Sequence, residues 1–293
     1  MKFKDIREFI EFLEEKSELR RITALVNQDL EITEIVDRVV KAGGPALLFE
    51  NVRGYETPVV MNLFGTHQRV AWALGVDQID TLTDRVRKLL GMVQGPPPGL
   101  MGKLRAAGDL IGMARAQPRV VSSGPCQDVV LEGKAVDLGL LPALKCWPED
   151  AGRFITLPLV ISRDPYTGLR NVGTYRMQVY DQRTTGMHWQ THKVGAHHVR
   201  AGADSGLERM EVAVAIGGDP TTIWSGSMPL PPGIDEFAVA GVIREEAVDL
   251  VRCQTVDLEV PVAAEFVLEG YVVPGETRVE GPFGDHTGYY SLA

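Results

Sequence analysis

The chain has 293 residues, enough to bury a substantial core and to form roughly two domains, with ordinary apolar and charged fractions of 44% and 24%. A formal net charge of −9 argues against a general binder of nucleic acid or anionic membrane, since both need a basic surface. Cys126, Cys146 and Cys253 are odd in number, widely separated and without CxxC spacing, which excludes a disulfide framework and a cysteine zinc site.

The chain begins with MKFKDIREFIEFLEE, an acidic amphipathic pattern and not a signal peptide, and no apolar run approaches the length of a membrane span. Reduced thiols and these absences predict a cytoplasmic protein, with a location peripheral to the membrane as the alternative. Asp5 followed by Glu8 marks a helix start, and Ile6, Phe9, Ile10 and Leu13 form one apolar stripe. A second helix runs from about Leu30, with Ile32, Ile35, Val36, Val39 and Val40 on a face and Gly43–Gly44 as its stop. Short strands follow at 46–49 and 58–63, separated by the turn-like Arg53–Gly54. Helical patterns then cover 68–74 and 81–92. Gly95–Pro96–Pro97–Pro98–Gly99 is the clearest punctuation, and a helical segment after it reaches about Ala116.

The domain boundary is expected just before Pro118, giving an α/β domain over 1–117 and a β-rich domain over 118–293. In the second, short β-rich runs at 128–131, 157–162, 173–180, 210–216 and 266–273, each bounded by Gly, Pro or Asp, predict a small barrel or sandwich. One helix at about 235–241 interrupts them. Adjacent His197 and His198, taken as an extended segment, are expected to face opposite ways on the surface.

The most motif-like stretch is EGPFGDHTGYY, from Glu280 to Tyr290. Glycine and proline around Glu280 and Asp285 rule out a regular helix, so a stiff loop must aim the two acids. His286 is ambiguous between a ligand and a turn hydrogen bond. The chain stops three residues beyond Tyr290, from which a further domain is expected to follow.

Asn171, His192 and Glu236 offer an amide oxygen, an imidazole and a carboxylate, a donor set suited to Mn²⁺ or Mg²⁺; each taken singly is an ordinary turn, surface or helix residue. Arg176 lies five residues after Asn171, so on a regular strand the two point to opposite faces, and a shared site requires a bend that Gly173 could supply. An arginine beside two acids would favour ionisation of the nearer one and leave the other as a proton donor. There is no G-x-S-x-G, GxxxxGK[ST], H-E-x-x-H or helix-opening GxGxxG, which lowers hydrolase, NTPase, zincin and Rossmann readings.

LEITEIVDRVVKAGGPALLFENVRGYETPVVMNLFGT from Leu30, CWPED from Cys146, NVGTYRMQ from Asn171, SMPLPPG from Ser227, DLEVPVAAEFVLEGY from Asp257 and EGPFGDHTGYY together resemble the UbiD family of decarboxylases, along essentially the whole chain. The resemblance is nearest to the quinone-pathway branch. It implies an α+β protein: an N-terminal α/β domain, a β-rich split-barrel domain of the flavin-reductase type, and a C-terminal α/β domain that is expected to be missing from this chain. It implies non-oxidative decarboxylation of an aromatic acid such as 4-hydroxy-3-polyprenylbenzoate. The implied cofactors are prenylated FMN, delivered by a flavin prenyltransferase, and Mn²⁺ or Mg²⁺, with K⁺ nearby.

By matching position, Asn171, His192 and Glu236 are the implied metal ligands, and Gly173, Thr174, Ser227, Met228 and Pro229 lie against the flavin. Arg176 pairs with Glu280 to tune the cofactor, and Asp285 protonates carbon after CO₂ leaves. The resemblance also implies a homo-oligomer when the chain is full-length. The alternatives are a fragment that only binds metal, flavin phosphate or a partner chain, and a cofactor-free acid–base hydrolase using Glu280 and Asp285.

Overall fold

The computed structural model describes residues 2–82, 114–231, 233–285 and 287–292. The helical patterns expected at 81–92 and 99–116 lie largely outside them; Thr81 ends a short 3₁₀ turn, and residues 114–116 are helical. His286 also lies outside the described residues.

Helix α1 (Ile6–Glu15) starts where the sequence indicates. The Asp5 carboxylate accepts from the Arg7 and Glu8 amides, and Glu8 accepts from the Lys4 amide, so donors with no partner in the first turn are satisfied. Its Ile6, Phe9 and Leu13 stripe packs on Leu19, Ala46 and Leu48 of strands β1 (Leu19–Val26) and β2 (Ala46–Val52). Between those strands runs α2 (Glu31–Lys41), which ends as Gly43 takes the left-handed φ of +67°. Strand β3 (Val59–Met61) completes a sheet in the order β1-β2-β3, shorter than the strand expected there. Helix α3 (His67–Ala73) follows, capped by Thr66.

Strand β4 (Arg119–Val121) opens the β-rich part, followed by β5 (Arg153–Ile155), β6 (Leu159–Arg163), β7 (Arg170–Thr174), β8 (Met177–Val179) and β9 (Thr185–Met187). Next come α4 (Val194–Asp204), β10 (Met210–Ile216), α5 (Pro220–Ser225) and α6 (Glu236–Arg244). Then follow β11 (Asp249–Arg252), β12 (Glu259–Pro261), β13 (Phe266–Val272) and the short pair β14 (Phe283–Gly284) and β15 (Tyr290–Ser291).

The central sheet is antiparallel, in the order β13-β10-β6-β7. Its period-two pattern divides two cores. Leu159, Ile161, Ala213 and Ala215 face Phe237 and Ala240 of α6 and Leu250 and Val251 of β11. Val160, Val212 and Val214 face Tyr175, Met177, Ile155 and Leu138 on the other side. Both faces are buried, which is why Leu159–Ile161 of β6 and Val212–Ile216 of β10 read as apolar runs without alternation.

The two halves of the chain share core. Ile223 joins the α1 cluster, and Ile243 of α6 packs with Ala71, Leu74 and Leu82.

Several expectations are corrected. Residues 128–131 form no strand: Val129, Val130 and Leu131 are 77%, 49% and 48% exposed and pair with no strand among the described residues. The run at 173–180 is two strands in two sheets, because the chain leaves β7 at Thr174 and enters the β5-β8-β9 sheet at Met177. The sheets among the described residues are open and do not close into one hydrogen-bonded barrel. His197 and His198 lie on α4 and not on an extended segment. His198 is 4% exposed, with Nδ1 2.9 Å from the Ser162 hydroxyl.

Candidate active site

The break between β7 and β8 aims Arg176. Gly173 is not a bulge, since it pairs in register with Val160. It is small because Tyr175 folds back over it: a Cβ there would stand 2.5 Å from the Tyr175 ring. The Tyr175 hydroxyl accepts from the Gly195 amide at 3.0 Å and lies 3.5 Å from Asn171 Nδ2, which holds the bend closed. The chain leaves β7 at Thr174 and turns at Tyr175 before β8, so regular strand alternation does not fix the direction of Arg176 relative to Asn171.

Arg176 reaches the far end of the chain. Its Nε and Nη2 donate to Glu280 Oε1 and Oε2 at 2.8 and 2.9 Å, a bidentate fork between side chains only 12% and 4% exposed. Nη1 and Nη2 each lie 3.1 Å from the Ser291 hydroxyl, and Nη1 is 3.9 Å from Asp285 Oδ2. The Phe283 ring packs against the guanidinium at 4.7 Å and against Phe154 at 4.6 Å. His188 Nδ1 is 3.1 Å from Glu280 Oε2, and the His188 amide donates to the Arg176 carbonyl.

Around the acids the backbone is as constrained as the glycines imply. Gly281 has φ +94°, and a Cβ there would meet the Ser291 carbonyl at 2.6 Å; the Gly281–Pro282 bond is cis. The Gly281 amide donates to the Gln178 side chain at 2.9 Å.

Glu236, the first residue of α6, is 7% exposed, and its Oε2 accepts from the Val172 amide at 2.8 Å. It therefore stands beside Asn171, which is 5% exposed. Burial pushes the Glu236 carboxyl up to about 7, against the opposing pull of the Val172 and Glu236 amides. His192 is exposed in the turn just before α4, whose Gly195 is tied to Tyr175. Among the described residues no three His, Cys, Asp or Glu side chains cluster as a metal site.

Thr174 and Ser227 come from segments held together by the Thr174 amide donating to the Gly226 carbonyl at 3.0 Å, with their hydroxyls 3.4 Å apart. Ser227 and Pro229 are exposed, and Met228 is half-buried against the Leu74 cluster. Gly173, Thr174, Ser227, Met228, Pro229 and the Arg176 fork thus border the end of β7.

Sequence reasoning missed His188, Ser291, Phe283, Tyr175 and Gln178. Tyr175 and Gln178 lie inside NVGTYRMQ and Phe283 inside EGPFGDHTGYY, where the neighbouring charged residues drew the reading instead. His188 was legible only as a neighbour of His192 in HWQTHK, and Ser291 only as the residue after the acidic loop.

The family model described as 3-octaprenyl-4-hydroxybenzoate carboxy-lyase Rift-related domain matches residues 119–293, and the corresponding N-terminal domain model matches residues 10–89. An uncharacterized protein of Archaeoglobus fulgidus is 51% identical over 291 residues, covering 99% of this chain and 59% of the relative. An uncharacterized protein of Synechocystis is 45% identical over 98% of this chain and 57% of its own length.

Among solved structures, the UbiD-class enzyme HmfF from Pelotomaculum thermopropionicum in complex with FMN is similar at TM-score 0.82 and 32% identity, over 99% of this chain and 60% of that one. The closed form of Sedimentibacter hydroxybenzoicus vanillic acid decarboxylase is similar at TM-score 0.86 and 29% identity, with coverage of 99% and 60%. The chain therefore spans about three-fifths of the length of these relatives. With both family models matched in order on a mixed α+β fold, the chain belongs to the UbiD family.

Proposed function

We propose that the chain carries the catalytic core of a prenylated-FMN-dependent decarboxylase of an aromatic acid, with 4-hydroxy-3-polyprenylbenzoate or a related quinone-pathway precursor as substrate. The observation that carries this reading is the Arg176–Glu280 fork with Asp285 3.9 Å from the same guanidinium. The likeness to an FMN complex and to a vanillic acid decarboxylase supports the reaction class.

When bound, the flavin supplies the electron sink that side chains cannot offer a departing CO₂. Arg176, locked by Glu280 and Ser291, presents a fixed positive charge with little freedom to reorganise. His188, with Nδ1 3.1 Å from Glu280 Oε2, gives that carboxylate a second side-chain partner. Asp285, 33% exposed at its side chain, is the proton donor in this reading. The bond from ring carbon to carboxylate breaks, CO₂ leaves, and the Asp285 proton goes to that carbon; its exposure lets the acid be recharged from water.

Glu236 and Asn171 bring side-chain oxygens of the kind a hard divalent cation takes to neighbouring positions. Glu236 is a buried acid that burial makes costly to ionise, and a cation would hold it ionised. Asn171 and His192 would complete a donor set for Mn²⁺ or Mg²⁺, with K⁺ nearby and cofactor phosphate or water in the other positions. The Thr174 and Ser227 hydroxyls and the Gly173, Met228 and Pro229 backbone would lie along the flavin, supplied by a flavin prenyltransferase. A homo-oligomer is part of the same reading.

A second reading is a chain that binds flavin phosphate and metal without turnover. Co-expression with a flavin prenyltransferase separates the two. Near-stoichiometric flavin and metal with CO₂ release supports the decarboxylase, and loading without CO₂ release supports the second reading. Activity in flavin-free protein would overturn both.

A further inference from the structure

The turn that precedes β5 grips the acidic loop. Asp150 is 3% exposed, and its two oxygens accept three main-chain N–H groups. Oδ2 takes the Cys146 and Trp147 amides at 3.1 and 2.9 Å, which closes the turn; Oδ1 takes the Gly284 amide at 2.7 Å, from a segment 134 residues away. Gly284 immediately precedes Asp285.

Three further contacts join the same two segments. The Ala151 amide donates to the Pro282 carbonyl at 2.8 Å, and the Glu149 amide donates to the Tyr290 hydroxyl at 3.2 Å. The Trp147 indole lies so close over Gly284 that a Cβ there would be 2.3 Å from its Cδ1. Because Gly284 pairs with Tyr290 and Phe283 with Ser291, fixing the Gly284 amide fixes both ends of the hairpin that presents Asp285 and Ser291 to Arg176.

We infer that Asp150 is a positioning residue for the proton donor: its buried carboxylate, clamped between the Cys146–Trp147 turn and the Gly284 amide, sets where Asp285 stands. The inference rests on the role given to Asp285 above. A carboxylate is suited to this place because it has acceptor capacity at both oxygens and no proton to donate. An amide side chain has one acceptor oxygen, which two turn amides would claim, leaving its NH₂ against the Gly284 N–H. Asp150→Asn should therefore keep the turn and release the loop, whereas Asp150→Ala loses both.

The test compares wild type, Asp150→Asn and Asp150→Ala, each loaded with flavin and metal by co-expression with a flavin prenyltransferase. In Asp150→Asn, amide hydrogen exchange at Gly284 and Asp285 should accelerate by about tenfold or more, with β6 and β10 amides unchanged. With an aromatic acid substrate kcat should fall by about 10²-fold, the scale of a 1 Å misplacement, while KM and flavin content stay within about twofold.

Unchanged exchange at Gly284 overturns the inference. So does faster exchange with unchanged kcat, or a kcat loss accompanied by faster exchange throughout β6 and β10, which would make Asp150 a folding residue only. If wild type itself releases no CO₂, the functional reading fails, and the exchange at Gly284 and Asp285 still decides whether Asp150 holds that strand.

Discussion

Arg176 and Glu280, 104 residues apart in sequence, meet through two parallel hydrogen bonds of 2.8 and 2.9 Å in a nearly buried pocket. The geometry matches a planar guanidinium to a planar carboxylate, which a lysine cannot reproduce. It also ties the β7–β8 break to the last described hairpin. Contacts at one end therefore bear on the other.

Arg176→Lys should lower kcat by about 10²-fold or more with flavin still bound, because one ammonium cannot hold both oxygens of Glu280 and reach Ser291. Arg176→Ala should cost about 3–5 kcal/mol in urea denaturation, the scale of a buried pair left with one partner. A stability equal to wild type would show that Glu280 finds other compensation.

Glu280→Gln and Asp285→Asn should each abolish measurable CO₂ release while metal content stays at the wild-type level. Removing a positioned acid typically costs about 10²–10⁴-fold. Retained turnover in either variant would remove the role given to that residue.

Glu236→Ala should reduce flavin loading, read as lost visible absorbance, together with bound Mn²⁺ by elemental analysis. The buried carboxyl beside Asn171 is the only acid in the proposed donor set. Normal loading of both would count against the cation site.

Gly173→Ala places a methyl 2.5 Å from the Tyr175 ring, so either the ring or the β6–β7 pairing must shift. Overpacking of this kind costs about 1–3 kcal/mol, and here it should also disturb Arg176, three residues on. A variant with wild-type stability and turnover would show that the Tyr175 bend is not what aims the arginine.

His198 gives a pH signature. Burial lowers its pKa from 6.5; Asp164 opposes that shift and His197 adds to it, while the ring stays bonded to Ser162. With the folded value below the unfolded one, the unfolded chain binds more protons on acidification. Stability should thus be full above about 6.5 and decline as pH falls below it. Replacing His198 with Gln should flatten that part of the urea-midpoint profile between pH 7 and 5; an unchanged slope would assign the decline to other groups.

Helix α1, helix α2 and strand β10 were legible because each buries one face or run against a large surface, and the 3.6- and 2-residue periods record that burial directly. Residues 128–131 misled for the complementary reason: β-branched composition signals a strand only where another strand offers its edge, and none does so among the described residues. His198 misled because a surface reading assumed an extended segment, whereas α4 turns one of two adjacent histidines inward.

The sequence by itself determined the family and the main helices and strands, and it offered Arg176, Glu280 and Asp285 as candidate site residues, because these are carried by local period and by motifs contiguous in the chain. Only the tertiary structure decided that Arg176 escapes strand alternation by changing sheets at Tyr175, that His188 and Ser291 complete the Arg176–Glu280 pair, and that Asp150 grips Gly284. Such contacts join segments roughly a hundred residues apart. Their distances are set by how sheets pack on one another, a quantity that no local pattern encodes.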